Sequence, residues 1–103
     1  MKRILLACAA GMSTSMLVQK MEKAASEKGI DAEISAVPAD SVSDIIAKDP
    51  VDIILLGPQV RYMESQFKEK YETNSTAVGV INMMDYGQMN GEKVLNSALE
   101  LIG

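Results

Sequence analysis

Residues 3–17 read Arg-Ile-Leu-Leu-Ala-Cys-Ala-Ala-Gly-Met-Ser-Thr-Ser-Met-Leu. A short apolar run, Ile4 to Ala7, ends on Cys8, the only cysteine of the chain. Small residues follow, then three hydroxyls (Ser13, Thr14, Ser15), then a helical pattern. A buried strand turning through small residues into a helix is an anion cradle. Loop and first-turn N–H groups converge on one point, and the helix dipole adds partial positive charge there. A thiol at that point is a nucleophile beside a phosphate site. The competing reading is that Cys8 is a small buried hydrophobe, because free cysteine is among the most buried residue types.

The rest of the chain decides where that thiol lies. From Thr14 to Lys28 the apolar positions Leu17, Val18, Met21, Ala24 and Ala25 keep helical spacing, and Gly29 is the expected stop. Asp31–Val37 alternates polar and apolar, as an edge strand with one wet face does, and Pro38 breaks it. A short helix is expected from Ser41 to Lys48, with Ser41 as N-cap and Asp49-Pro50 as terminator. Val51–Leu56 is again nearly all apolar, hence a central strand, and Gly57-Pro58 turns the chain. Val60, Met63, Phe67 and Tyr71 mark a third helix, Thr76–Ile81 a fourth strand, residues 82–90 a loop, and Gly91–Ile102 the last helix.

Strands alternating with helices imply right-handed crossovers and a parallel sheet. The two most apolar strands, the first and third, belong in the middle. The expected fold is therefore a three-layer α/β domain, a four-stranded parallel sheet of order 2-1-3-4, flavodoxin-like. Its switch point lies at the carboxyl ends of the first and third strands, where ligands bind. Those ends are Cys8 and Gly57-Pro58, so topology alone favours the functional reading of the thiol.

Composition narrows the chemistry. With 103 residues, 48% of them hydrophobic and 23% charged, the expectation is one soluble domain spanning 1–103. No apolar run nears the ~20 residues of a membrane span, and the N-terminal run is too short for a signal core. A single cysteine fits a reducing, cytoplasmic location. The net charge of −4, the scattered cations and the lack of tryptophan argue against nucleic acid as a partner. Histidine is absent altogether, which removes the commonest general base and metal ligand. No metal and no cofactor are expected, and no histidine of this chain can activate Cys8.

Cysteine phosphatases of the low-molecular-weight type share this layout, with Cys-x5-Arg-Ser/Thr wrapping the phosphate. Here Thr14 stands where the arginine would, followed by Ser15. A bidentate arginine stabilises the equatorial phosphoryl oxygens in the transition state. Without it, a phosphoryl group taken onto Cys8 should be slow to pass to water and free to pass elsewhere. A phosphatase-like hydrolase, or a non-catalytic flavodoxin-like binding module, remains the alternative.

Three segments carry a resemblance: residues 2–17, Leu-Leu-Gly-Pro-Gln-Val-Arg-Tyr at 55–62, and Asp-Tyr-Gly-Gln-Met-Asn-Gly at 85–91. Together they resemble the IIB component of the lactose/cellobiose (N,N'-diacetylchitobiose) family of the bacterial phosphoenolpyruvate-dependent sugar phosphotransferase system. The resemblance implies that Cys8 is phosphorylated by a phosphohistidine of the IIA partner. It implies further that the group passes to a β-linked disaccharide held by the membrane IIC permease. The donor imidazole then belongs to the partner, in keeping with the missing histidine.

The loop Ala9, Ala10, Gly11, Met12, Ser13, Thr14 and Ser15 is the expected phosphate cradle, although its hydroxyls could equally cap the helix. Met12, Gln59, Arg61, Met84 and Tyr86 are the expected partner-binding residues; for Arg61 a solvated helix start, and for Tyr86 a plain loop aromatic, compete. Of the eight methionines, Met12 and the 83–89 group suit a soft docking rim, whereas Met16 and Met63 read as helix core. A monomer is expected.

Overall fold

The computed structural model describes residues 1–9, 14–72 and 76–102. The elements run β1 (Lys2–Cys8), α1 (Thr14–Glu27), β2 (Ala32–Pro38), α2 (Val42–Lys48), β3 (Ile53–Leu56), α3 (Glu64–Tyr71), β4 (Ala77–Val80), α4 (Met83–Gly87) and α5 (Gly91–Ile102). The four strands form one parallel sheet in the order β2-β1-β3-β4, as the apolar patterning predicts. The central strands β1 and β3 carry helices on both faces, so their residues alternate between two cores. Ile4, Leu6, Ile53 and Leu55 pack beneath α1 and α5 with Leu17, Met21 and Leu95. Leu5, Ala7, Ile54 and Leu56 pack on the other side with Val42, Phe67 and Tyr71. Truncating any of the fully buried leucines to alanine would cost about 2–5 kcal/mol.

Ordinary terminator chemistry closes α1. Gly29 sits at φ +69°, with Ile30 N–H donating to Ala25 O (2.8 Å) and Gly29 N–H to Ser26 O (3.2 Å), a Schellman turn. The same turn closes α4, with Met89 at φ +54° in the left-handed position that glycine usually fills. At the start of α5, Gly91 lies directly on α1: a Cβ there would fall 2.4 Å from the Lys20 carbonyl carbon and 2.6 Å from Met21 N.

The structure departs from expectation at several places. Ser41 makes no side-chain cap; a 3-10 turn, Ala39–Ser41, carries the chain from Pro38 into α2 and takes over the entry role. The third helix is preceded by a 3-10 stretch, Pro58–Met63, in which Val60 is non-helical (φ −120°, ψ 21°). Residues 82–90 are not a plain loop. Asn82 accepts hydrogen bonds from Met84 N and Asp85 N at 2.9 and 3.1 Å and so caps the short helix α4. Met16 is 52% exposed rather than core, because it falls beside the Leu17–Met21–Ala24 stripe and not on it.

Candidate functional site

Cys8 is the last residue of β1, level with Pro38 of β2. It is 5% exposed. The β1–β3 ladder runs one bond beyond β3, with Gly57 N–H donating to Ala7 O at 2.8 Å, which sets Gly57 beside the thiol. A Cβ on Gly57 would lie 3.5 Å from Cys8 Cβ and 3.2 Å from Gln59 Oε1. Glycine thus keeps space open next to the sulfur, and Gln59 reaches over the same spot. On the other flank, Cys8 Sγ lies 3.2 Å from Thr14 Oγ1, and its S–H can donate to Val37 O at 3.6 Å.

Thr14 is the first residue of α1 and is 4% exposed. Its hydroxyl is therefore shielded from water and lies against the sulfur. This contact falls at the position where a phosphatase loop would carry arginine. It is a neutral hydroxyl in place of a charged fork: it can hold a sulfur anion, but it adds no positive charge to an incoming group.

Of the expected cradle, Ala9 lies beside Cys8 and Ser15 is exposed on the first turn of α1. Ala10, Gly11, Met12 and Ser13 lie outside the described residues. Arg61 and Met84 are exposed, and Met83 and Met84 stand out from the head of α4 at 63% and 69% exposure. Tyr86 is buried among the α1/α5 core residues, and its phenolic oxygen has no hydrogen-bond partner among the described residues.

Sequence reasoning did not find the wall beyond Cys8. A depression of ≈ 270 Å³ opens beside it, lined by Ala9, Pro38, Asp40, Val60, Tyr62 and Met63 among others. In the sequence Pro38 reads only as a strand break, Asp40 carries no signal of its own, and Tyr62 appears only at the end of the 55–62 segment. Only the 3-10 geometry of the two turns brings them to the thiol.

A doubly wound parallel sheet with a thiol at its switch point defines the chain as a flavodoxin-like α/β domain with a free cysteine at the carboxyl end of its central strand, the end of such sheets where ligands bind. Residues 3–97 match the protein family described as "PTS system, Lactose/Cellobiose specific IIB subunit". The chain is 47% identical to the galactose-specific EIIB component of the phosphotransferase system of Lactococcus lactis subsp. cremoris (strain MG1363), over 98% of this chain and 96% of that one. It is 44% identical to the cellobiose-specific phosphotransferase IIB component of Borrelia burgdorferi, whose solution structure aligns at TM-score 0.77 over 98% of this chain and 91% of the other. The lactose-specific IIB domain of Streptococcus pneumoniae, at 22% identity, shares the fold at TM-score 0.84, over 97% and 96% of the two chains. The chain belongs to the lactose/cellobiose-specific IIB family. It is a sugar phosphotransferase component that works with IIA and IIC partners. No helix among the described residues is long and apolar enough to cross a membrane.

Proposed function

We propose that Cys8 is the phosphoryl relay of a cytoplasmic, monomeric IIB protein. It takes the group from a phosphohistidine of IIA and gives it to a β-linked disaccharide held by the membrane IIC permease. The observation that carries this reading is the sulfur itself, at the carboxyl end of β1 and in contact with the Thr14 hydroxyl at the head of α1.

In loading, the Cys8 sulfur attacks phosphorus in line with the donor nitrogen. The S–P bond forms, the N–P bond breaks, and its electron pair returns to the partner's imidazole. The thiol proton passes to the departing imidazole nitrogen, so the partner's histidine leaves as neutral imidazole. Residues 9–15 supply backbone N–H groups and hydroxyls to the phosphoryl oxygens, the helix dipole of α1 assisting. No lysine or arginine occurs in residues 4–19, so the equatorial oxygens gain no charged clamp and attack by water is not promoted. Gln59 beside Gly57, together with Arg61, Met84 and Met12, forms the surface we assign to the partners; Tyr86, expected there from the sequence, is buried in the α1/α5 core and is left out of it. Soft methionines suit two different proteins docking in succession.

The test is intact-mass spectrometry after incubation with phosphoenolpyruvate, the general phosphotransferase proteins and IIA. One phosphoryl adduct mapped to Cys8, and none on Cys8→Ser, is the expected result. An adduct on the Cys8→Ser protein, or on any other residue, refutes the relay.

A further inference from the structure

We infer that the Tyr86 hydroxyl is a donor held for the loaded state: it bonds an oxygen of the phosphoryl group on Cys8. The inference rests on the reading that Cys8 carries that group. The unloaded chain contains an imbalance. Tyr86 is 7% exposed and packs among the α1/α5 core residues, yet its phenolic oxygen is buried with no hydrogen-bond partner among the described residues. Buried tyrosine hydroxyls ordinarily find a partner, and one left without it carries a penalty that phenylalanine in the same place would not. Packing of the core accounts for the ring and not for its oxygen.

Topology brings Tyr86 to the thiol's side of the sheet. Side chains alternate along a strand, so Cys8, two residues beyond Leu6, points toward α1 as Ile4 and Leu6 do, and its contact with Thr14 agrees. Ala7, Leu56 and Val80 are partners across β1, β3 and β4. The ladder continues past them, with Gly57 N–H donating to Ala7 O and Ile81 N–H to Leu56 O, both at 2.8 Å. Cys8, Gly57 and Ile81 therefore stand level at the carboxyl edge, about 10 Å from first to last at about 4.8 Å per strand. Gly57 is still extended (φ −63°, ψ 154°), so its missing side chain leaves the row open between the thiol and Ile81. Tyr86 follows from α4, whose start Asn82 pins, and packs with Ile81 and Leu17 on this same side. A phosphoryl group on the sulfur adds strongly accepting oxygens to that space. Residues 4–19 hold no lysine or arginine, so neutral donors must serve them. A phenolic O–H is such a donor, and its bond to a charged oxygen is stronger than one between neutral groups. The hydroxyl thus weakens the unloaded chain and holds the loaded one, drawing the phosphoryl group from IIA toward Cys8.

Tyr86→Phe keeps the ring and removes the oxygen, and the two states should respond to it with opposite sign. Wild type and variant are equilibrated with phosphorylated IIA freed of its own donor, and the ratio of loaded to free chain is read by intact mass. Urea unfolding is followed on the unloaded chains. The equilibrium constant for transfer does not depend on how well the partners dock, so a docking defect leaves it untouched. For Tyr86→Phe that constant should fall about tenfold, while the unloaded variant unfolds at the same or a higher urea midpoint than wild type. A constant within twofold of wild type overturns the inference. A lower urea midpoint for the unloaded variant overturns it too, because the hydroxyl then has a partner before any phosphoryl group arrives. Failure of the wild type to load on Cys8 would instead refute the relay, whereas equal loading of both chains refutes the Tyr86 donor alone.

Discussion

Replacing Thr14 by valine removes one hydroxyl and leaves the side-chain shape unchanged. That hydroxyl lies 3.2 Å from Cys8 Sγ, both residues are about 95% buried, and water has no easy route to replace it. The bond is weak while the sulfur is a neutral thiol, so Thr14→Val should unfold within about 1 kcal/mol of wild type. It matters more when the sulfur bears charge, as an attacking thiolate and again as the group released on transfer. A hydrogen bond to a charged atom is worth about 1.5–3 kcal/mol. Only the excess over the thiol's own bond, about 0.5–2 kcal/mol, enters the rate, so at about 1.4 kcal/mol per factor of ten loading should fall roughly 2- to 30-fold. Thr14→Ser, which keeps the oxygen, should lose much less. The assay is rapid-quench loading from phosphorylated IIA, with alkylation of Cys8 by iodoacetamide at neutral pH as a partner-free check on the same sulfur. If Thr14→Val loads and alkylates within twofold of wild type while remaining folded, the hydroxyl does not stabilise the sulfur anion and the account of the site fails.

Other substitutions test the frame around the sulfur. Gly57→Ala places a methyl 3.2 Å from Gln59 Oε1 and 3.5 Å from Cys8 Cβ; the exposed Gln59 side chain can yield, so the melting temperature should hardly move while loading slows. Unchanged loading would show that the space beside the thiol is not used. Gly91→Ala puts a methyl 2.4 Å from the α1 backbone, which cannot swing aside. Overpacking of this kind costs about 1–3 kcal/mol, a drop of roughly 5–20 °C by calorimetry for a chain of this size. Gly29→Ala has open space around its methyl but φ +69°, so its cost is conformational alone, about 1 kcal/mol in urea unfolding with an unchanged m-value.

The sheet order was readable because burial on both faces leaves an unmistakable pattern: Ile4–Ala7 and Val51–Leu56 have almost nowhere to be except the middle. The position of Cys8 followed from that order, since a switch point is a property of topology. What escaped was local and short. Helix α4 spans five residues and owes its start to the Asn82 side chain, too brief a signal to outweigh Gly87 and the turn-forming residues after it. Ser41 has the right identity for a cap, but Pro38 fixes the chain direction three residues earlier and commits it to a 3-10 turn. The wall formed by Asp40 and Tyr62 depends on how two such turns face each other across the sheet end. No spacing along the chain encodes that. Tyr86 shows the opposite limit: a tyrosine in a polar loop segment looks exposed until a helix not foreseen there turns its ring inward.

The seating of Gly91 on Lys20 and Met21 has a consequence for the sulfur. Helix α1 is 14 residues long, and this contact grips it about 10 Å from Thr14, measured at 1.5 Å per residue. A helix is stiff over that distance, so α1 acts as a beam clamped near its middle with the Thr14 hydroxyl at one tip. Any bulk wedged under the clamp pivots the beam and displaces Thr14 Oγ1 relative to a Cys8 that is held independently by β1. Accuracy of the thiol's surroundings is therefore set partly by a glycine on the fifth helix, far along the chain and touching nothing that reacts. A screen for lost transfer activity should return Gly91 variants that still fold, alongside those of Cys8 and Thr14.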